Sequence, residues 1–352
     1  MTDLALLAAD VRAAIRAGGP ATDADFEDLC LAIAGAQGRL REGDADGLDR
    51  IEPVPEGAFK LMTVACFPPS EAEAEFRTSG TTTGSPGRHL VRDLRLYRES
   101  ALAGFDRFVL YPPRPARVVT LIPPGEARPS SSLSRMVSFA LECDWALPPL
   151  VARDGDSLAL DRLLPALRGA GRDGEALVIL GTSLDFLTLL EALAAAGEAI
   201  RLPAGSRVMH TGGEKASGRE LSREALAHRL VAALGIAPED AVEEFGMTEL
   251  LSQAYDAPRV TGGGPRRLVP VPWMRSRVLD PGTLAEVPAG ATGLVCHYDL
   301  ANVHTAVAVL TGDLATGAAD GFSDVRRAPG AAARGCSSEA SDRWTHSRTP
   351  TS

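Results

Sequence analysis

A run rich in hydroxyl groups and glycine spans residues 77–88 and has the composition needed to hold an anion. Glycines let backbone N–H groups approach anionic oxygens closely, and serine and threonine hydroxyls add further donors. The run lacks the Gly-Lys-Ser/Thr ending of a Walker loop and the spacing of a dinucleotide-binding turn. The pattern therefore predicts a phosphate-binding loop of another kind; the alternative is a solvated surface loop. The candidate ligand-binding residues are Thr78, Ser79, Gly80, Thr81, Thr82, Thr83, Gly84 and Gly87.

Three segments downstream carry further residues suited to nucleotide chemistry. They read His-Thr-Gly-Gly-Glu-Lys over residues 210–215, Glu-Phe-Gly-Met-Thr-Glu over 244–249 and Leu-Thr-Gly-Asp over 310–313. Together with the loop, and in this order, they resemble the nucleotide-binding motifs of the adenylate-forming superfamily, which activates carboxylic acids with ATP. Four such motifs in the right order are hard to obtain by chance.

The closer likeness is to the acyl-protein synthetase branch of that superfamily, typified by the fatty-acyl synthetase of bacterial luminescence, LuxE. The sequence segments that show this likeness lie at residues 131–136, 245–255, 327–331 and 334–337. The resemblance covers about residues 70–337 and implies an enzyme that forms an acyl-adenylate and passes the acyl group to a thiol. An acyl-CoA ligase of the more distant phenylacetate type is one alternative. A non-catalytic protein that binds a nucleotide or a partner is another.

The resemblance also implies a role for each segment in binding ATP and Mg²⁺. The loop would wrap the β- and γ-phosphates, and Phe245 would stack on adenine. Thr248 would donate to the α-phosphate, and Glu249 would ligate Mg²⁺, a hard cation that prefers oxygen ligands. Asp313 would accept hydrogen bonds from both ribose hydroxyls. The remaining implied nucleotide-binding residues are Gly212, Gly213, Glu214 and Gly246.

The charged candidates each have an ordinary structural alternative. Glu249 could be a carboxylate early in a helix, where the helix dipole favours it. Asp313 could accept hydrogen bonds from its own turn. Lys215 could reach the phosphates or the substrate carboxylate, or it could be a solvated lysine.

Cys336 is the candidate acyl carrier. Luminescence synthetases carry the acyl group on a cysteine near the C-terminus, and Cys336 is the only cysteine so placed in this sequence. The positive charge of Arg334 would favour its thiolate, whereas the alternative is an inert packing residue.

The implied partners are a small carboxylic acid and a protein that accepts or donates the acyl group. The segments that would line the acid site suit an aliphatic or an aromatic acid equally well. They contain Ser131, Ser132, Met136, Thr182 and Phe186.

Composition argues against several other classes of protein. The net charge of −10 disfavours binding of nucleic acid, which depends on clustered positive charge. No apolar run reaches the eighteen or so residues that cross a bilayer, so no membrane association is predicted. Five scattered cysteines include no Cys-x-x-Cys pair, so neither a disulfide framework nor a zinc site is indicated. A cytoplasmic protein is predicted.

Hydrophobic patterning predicts the fold class. Apolar runs at 117–122, 176–181 and 207–210 are typical of buried strands, and each of the three is followed by a helical pattern. Such units predict an α/β fold with a mostly parallel sheet flanked by helices. After residue 255, frequent Pro and Gly with short strand-like pieces, such as 293–298 and 306–310, indicate a smaller β-rich subdomain.

The predicted domains are an adenylate-forming core with N-terminal helices over 1–255, a β-rich subdomain over 256–337 and a disordered tail over 338–352. Larger relatives have a mobile C-terminal lid that supplies a catalytic lysine. Only 39 residues follow Asp313 here, and none of them is lysine. The sequence therefore predicts the N-terminal-domain fold of the superfamily without the large lid.

Overall fold

A computed structural model describes residues 3–78, 86–212, 222–262 and 264–329. The chain divides into two compact units. Unit 1 comprises Met1–Gly104, Gly246–Tyr255 and Pro265–Ala333, and unit 2 comprises Phe105–Phe245, Asp256–Gly264 and Arg334–Ser352. The domain boundaries drawn from the sequence, at residues 255 and 337, stay a prediction.

The described residues form helices and strands throughout both units. The helices are α1 (Leu4–Arg16), α2 (Asp23–Ala36), α3 (Ala58–Leu61), α4 (Leu94–Phe108), α5 (Ser132–Leu141), α6 (Leu160–Asp173), α7 (Ser183–Ala195), α8 (Arg223–Leu234) and α9 (Pro258–Thr261). The first eight strands are β1 (Val54–Pro55), β2 (Ala74–Arg77), β3 (Arg88–Val91), β4 (Arg117–Thr120), β5 (Leu150–Val151), β6 (Arg153–Asp154), β7 (Ser157–Leu158) and β8 (Leu177–Thr182). The others are β9 (Arg207–Thr211), β10 (Ala241–Phe245), β11 (Ala254–Asp256), β12 (Val269–Pro270), β13 (Met274–Leu279), β14 (Thr292–Asp299), β15 (Ala308–Ala318) and β16 (Gly321–Arg327).

Unit 2 contains a parallel sheet in the order β10-β9-β8-β4-β5. The apolar runs predicted as strands form β4, β8 and β9, and the side chains of Val119, Ile179 and Val208 are fully buried in its core. Residues of α6, α7 and α8 complete this core. A strand with such uninterrupted apolar character suits a sheet that is covered on both faces. The predicted α/β fold with a mostly parallel sheet is confirmed.

A buried arginine fixes the start of β9. Arg207 is 0% exposed, and its guanidinium donates to the backbone carbonyls of Val109, Tyr111 and Pro113 at 2.6–2.8 Å. The same group lies 3.9 Å from the centre of the Tyr111 ring, a cation–π contact. Because a buried guanidinium must find partners for its five N–H groups, these contacts lock the loop before β4 against the sheet.

Unit 1 contains a second sheet in the order β1-β15-β14-β13, with β16 also paired to β15. β1 runs parallel to β15, and the other pairs are antiparallel. The segments predicted as strands over 293–298 and 306–310 fall within β14 and β15, apart from the first two residues of the latter. A separate hairpin of β2 and β3 carries the hydroxyl-rich loop between its strands.

No helix of the described residues is long and apolar enough to span a membrane.

Candidate functional site

The ends of the hydroxyl-rich loop are closed by hydrogen bonds between Thr78 and Gly87. Beyond the last hairpin pair, the Gly87 N–H donates to the Thr78 hydroxyl at 2.7 Å, and the Thr78 N–H donates to the Gly87 carbonyl at 2.9 Å. A Cβ at position 87 would lie only 3.2 Å from the Thr78 side chain. Glycine is therefore favoured at the loop base by close approach. The predicted residues 79–84 of the loop lie outside the described residues.

The backbone of Thr248 and Glu249 is held by two buried side chains. His89 Nδ1 lies 2.7 Å from the Thr248 carbonyl oxygen, and Asn302 Nδ2 donates to the Glu249 carbonyl at 2.8 Å. Thr248 and Glu249 are themselves only 5% and 6% exposed. These contacts involve carbonyl oxygens, so they fix the position of both residues without engaging their side chains.

The next residues of this turn are held by the carboxylate of Asp299, at the end of β14. It accepts from the backbone N–H groups of Leu251 at 2.9 Å and Ser252 at 3.0 Å, and from the Ser252 hydroxyl at 2.6 Å. Ser252 also lies 2.9 Å from the Ser100 hydroxyl, which accepts from the Trp273 indole at 2.8 Å. The turn at 248–252 is thus fixed by a continuous set of buried hydrogen bonds, the kind that imposes one local structure.

The protonation state of His89 follows from its burial. Burial lowers the pKa of His89 to about 4, against a smaller opposite effect of the hydrogen bond to Thr248. The ring is therefore neutral near pH 7. A neutral ring that donates from Nδ1 to the Thr248 carbonyl accepts at Nε2, where the Thr305 hydroxyl lies 3.2 Å away. The edge of Phe59 packs against the same ring, with centroids 5.6 Å apart.

Asp313 is buried in an ion-paired cluster. It lies opposite Arg327 in the register of β15 and β16, and Arg327 Nη1 donates to its carboxylate at 2.8 Å. Arg327 also donates to Glu56. The Asp313 N–H donates to the Thr311 hydroxyl at 3.1 Å, which fixes the Thr-Gly-Asp turn from within. Carboxylate oxygens can accept more than one hydrogen bond, and the ribose role of Asp313 stays a prediction.

The predicted adenine-binding residues belong to unit 2. Gly212 follows β9 with φ of +100°, a conformation that favours glycine, and the Ser183 hydroxyl donates to its carbonyl at 3.0 Å. Phe245 ends β10 and is 8% exposed. Gly246 is the first residue of the next segment of unit 1. Gly213, Glu214 and Lys215 lie outside the described residues, as does Cys336.

A buried carboxylate that the sequence reading overlooked precedes Phe245. Glu244 is 3% exposed and pairs in register with Thr211 across β9 and β10. Burial raises the pKa of Glu244 to about 7, although a hydrogen bond from the Thr211 side chain acts in the opposite direction. Glu244 lies at the carboxyl end of β10, and in open parallel sheets ligands commonly bind at this end of the strands.

The residues suggested for the acid site take part in helix caps and in the core. The Ser131 hydroxyl accepts from the Ser134 N–H at 3.1 Å, and the Thr182 hydroxyl accepts from the Asp185 N–H at 3.1 Å. Phe186 is fully buried in the core of unit 2. These three positions therefore have a structural role. Ser132 and Met136 are buried on α5.

Glu249 is the predicted ligand of a magnesium ion. No group of three or more His, Cys, Asp or Glu side chains within the described ranges could hold a metal alone. Mg²⁺ in phosphate-transferring sites needs less, because it binds through one or two carboxylates plus substrate phosphates and waters. Glu249 is buried on a fixed turn, and its metal role stays a prediction.

Several residues of this site were not found from the sequence, chiefly His89, Asp299, Asn302, Glu56 and Arg327. Asp299 and Asn302 gave a usable signal, since polar residues within the largely apolar run 293–310 must be buried with partners. His89 gave none, because its contact with Thr248 joins residues 159 positions apart.

Replacement of Asp299 by asparagine tests the turn at 248–252. In Asp299→Asn an NH2 group replaces one carboxylate oxygen, and an NH2 group cannot accept hydrogen bonds from N–H groups. We therefore expect a loss of about 2–4 kcal/mol in the free energy of unfolding. Asp280→Asn is the matched control, because that exposed carboxylate accepts all its bonds on one oxygen, and the variant should unfold at nearly the same urea concentration as wild type. Urea unfolding at pH 8 measures both, and equal losses would contradict this account.

Replacement of Glu244 by glutamine tests the buried carboxylate. The folded protein binds the Glu244 proton more tightly than the unfolded chain, so the contribution of Glu244 to stability falls as pH rises from about 4.5 to 7. Glutamine does not titrate, so the stability of Glu244→Gln relative to wild type should rise by roughly 3 kcal/mol across that window and then level off. Calorimetric Tm values from pH 4.5 to 8.5 test this. Glu198→Gln, which alters a surface pair with Arg168, should show no such rise, and a flat Glu244→Gln difference would refute the assignment.

Comparison with solved structures finds several proteins with a similar fold. An open form of 2-hydroxyisobutyryl-CoA ligase with 2-HIB-AMP and CoA matches with a TM-score of 0.59 and 16% identity, over 88% of this chain and 75% of that one. ATP-bound MatB from Rhodopseudomonas palustris matches with a TM-score of 0.50 and 16% identity, over 74% of this chain and 49% of that one. The chain thus spans about half the length of MatB. McyG A-PCP with phenylalanyl-adenylate gives a TM-score of 0.52 and 16% identity, over 77% and 43% of the two chains.

Comparison with curated proteins gave no match. The sequence profile of the acyl-protein synthetase family, LuxE, matches residues 41–345, which is most of the chain. The resemblance drawn from the motifs is confirmed, and the chain belongs to the LuxE acyl-protein synthetase family.

Proposed function

We propose that this protein is an ATP-dependent ligase that activates a carboxylic acid as an acyl-adenylate and passes the acyl group to a thiol. The observation that carries the proposal is the fixed turn at 248–252. His89 and Asn302 hold the carbonyls of Thr248 and Glu249, the two residues that we propose to contact the α-phosphate and the metal. A site that stabilises a transition state needs such fixed donors, because they do not reorganise during the reaction.

The residues of unit 1 suit the first half of that reaction. A carboxylate oxygen of the acid attacks the α-phosphorus of ATP, the bond to the bridging oxygen breaks, and pyrophosphate leaves. The Thr248 hydroxyl donates to the α-phosphate as negative charge develops there. When Mg²⁺ is bound through Glu249, it supplies further neutralisation of the phosphate oxygens. Asp313, oriented by Arg327, accepts from the ribose hydroxyls and sets the direction of the nucleotide.

The second half transfers the acyl group to sulfur. A thiolate attacks the carbonyl carbon of the adenylate, and AMP leaves. Membership of the acyl-protein synthetase family favours a protein thiol over coenzyme A, and Cys336 is the proposed acyl carrier beside Arg334. Coenzyme A remains the alternative acceptor, and 2-hydroxyisobutyryl-CoA ligase shows that an enzyme of this fold can bind it.

ATP–pyrophosphate exchange across fatty, aromatic and hydroxy acids tests the proposal directly. We expect one class of acid to support exchange that depends on Mg²⁺. Incorporation of labelled pyrophosphate into ATP only when acid is present shows a reversible adenylate. Absence of exchange with every acid, combined with measurable ATP binding, would leave a nucleotide-binding protein without adenylation activity.

Replacement of Glu249 by glutamine tests the metal role. Glu249→Gln keeps the size of the side chain but removes the charge, so exchange activity should fall at least about a hundredfold. Glu286→Gln, which removes a surface carboxylate of unit 1, should retain wild-type activity. Unchanged thermal unfolding would show that Glu249→Gln is folded. Exchange close to wild type in that variant would reject the assignment.

Replacement of Cys336 by serine tests the acyl carrier. With ATP, Mg²⁺ and a radiolabelled acid that supports exchange, wild-type protein should become labelled through a bond that neutral hydroxylamine cleaves. Cys336→Ser should still form the adenylate but acquire no such label, whereas Cys66→Ser, which alters an exposed thiol, should label normally. Label that persists in Cys336→Ser, or wild-type protein that makes only acyl-CoA, would favour another acceptor.

A further inference from the structure

The segment that precedes the hydroxyl-rich loop in unit 1 is fixed in position. β1 pairs with β15 through Val54 and Pro55, and the Glu56 N–H continues the pairing to the Leu310 carbonyl at 2.9 Å. Phe59, on α3, is 1% exposed and packs edge-on against His89. Lys60 follows this anchor, and its neighbour Leu61 is 88% exposed. Lys60 is thus anchored at its backbone and lies next to solvent.

The stem of Lys60 lies against the loop base. A Cβ placed on Gly87 would be 3.3 Å from Lys60 Cγ, about as close as it would be to Thr78. The absence of a side chain at Gly87 therefore makes room for the aliphatic part of Lys60. Lysines commonly pack such a stem along the protein and keep the ammonium in water, where it can meet an anion.

The charges around the loop base single out Lys60. The two arginines that flank the loop, Arg77 and Arg88, both donate to Glu75, at 2.7 and 2.6 Å. Their guanidiniums hold the pKa of Glu75 below its usual value, so this carboxylate stays ionised and offsets their charge. The ammonium of Lys60, by contrast, makes no hydrogen bond or ion pair with any of the residues that the structure describes. Lys60 is one of only two lysines in the chain, with Lys215.

We propose that Lys60 is a phosphate-contacting residue, whose ammonium binds the β- and γ-phosphates of ATP and the pyrophosphate that leaves. The assignment rests on the proposed function for the identity of the anion, but the geometry is that of Lys60, Thr78 and Gly87 alone. An ammonium is a compact charge with three donors on a flexible stem, so it can follow a polyphosphate from the bound to the leaving state. A paired guanidinium would first have to leave its carboxylate.

Binding of inorganic pyrophosphate and of ATP, measured by calorimetry with and without Mg²⁺, tests the proposal. Lys60→Met keeps the aliphatic stem and removes the charge, so the Kd of each ligand should rise about tenfold, as expected for loss of one charged contact. Arg77→Met is the matched control, since it removes a paired cation from the same hairpin, and its Kd values should stay within about twofold of wild type. Lys60→Arg should recover most of the affinity.

Exchange kinetics separate this proposal from the function on which it rests. In an active enzyme, Lys60→Met should raise the KM for ATP and for pyrophosphate about tenfold and leave the KM for the acid unchanged. Equal binding by wild type and Lys60→Met, or equal losses in Lys60→Met and Arg77→Met, would overturn the role of Lys60. Wild-type protein that binds pyrophosphate through Lys60 but catalyses no exchange would keep the anion site and refute adenylation. Wild-type protein that binds neither anion would refute both.

Discussion

The carboxylate of Asp299 is the group on which the rest of the site in unit 1 depends. It is fully buried, and burial raises its pKa to about 6 despite the hydrogen bonds from Ser252, Leu251 and Ala301. Burying a carboxylate is costly unless its oxygens are satisfied, and here the bonds from Leu251 and Ser252 come from the turn that carries the predicted catalytic residues. The same bonds satisfy backbone N–H groups that have no strand or helix partner. The turn can therefore be buried only in the one conformation that Asp299 accepts.

The segment over residues 54–60 contacts three parts of the candidate site. These are the Asp313 cluster, the turn at 248–252 and the base of the hydroxyl-rich loop at Thr78 and Gly87. Its strand pairs with β15, on which Asp313 lies, and Glu56 shares Arg327 with that carboxylate. Phe59 then packs on the histidine that holds the Thr248 carbonyl, and Lys60 lies at the loop base. Close-packed contacts of this kind transmit displacements rather than absorb them. A change at any one of the three parts is therefore expected to be felt at the others.

The sequence predicted what depends on local pattern. Apolar runs such as 176–181 gave the parallel sheet, because strands buried on both faces must be apolar throughout. The motifs gave the family, because the glycine and carboxylate spacings are local as well. The contact of His89 with Thr248 joins distant parts of the chain, and α3 is too short to show a helical period. The residues that position the site could therefore not be predicted from the sequence, whereas several of the residues proposed for its chemistry could.

The two units contain different buried groups that titrate, so the candidate nucleotide contacts in each unit have neighbours with different pKa values. In unit 1, His89 has a pKa of about 4 in the folded protein and 6.5 as its ordinary value. Because the unfolded chain takes up this proton more readily, His89 lowers the free energy of unfolding only as pH falls below 6.5. In unit 2, Glu244 precedes the predicted adenine contact Phe245 and loses its proton near pH 7. Since a buried charge perturbs the groups around it far more than a solvated one does, titration near neutrality acts on the unit that carries Phe245. In unit 1 the contact of His89 with the Thr248 carbonyl is kept near neutrality, whereas the Asp299 carboxylate, with a pKa of about 6, titrates just below it.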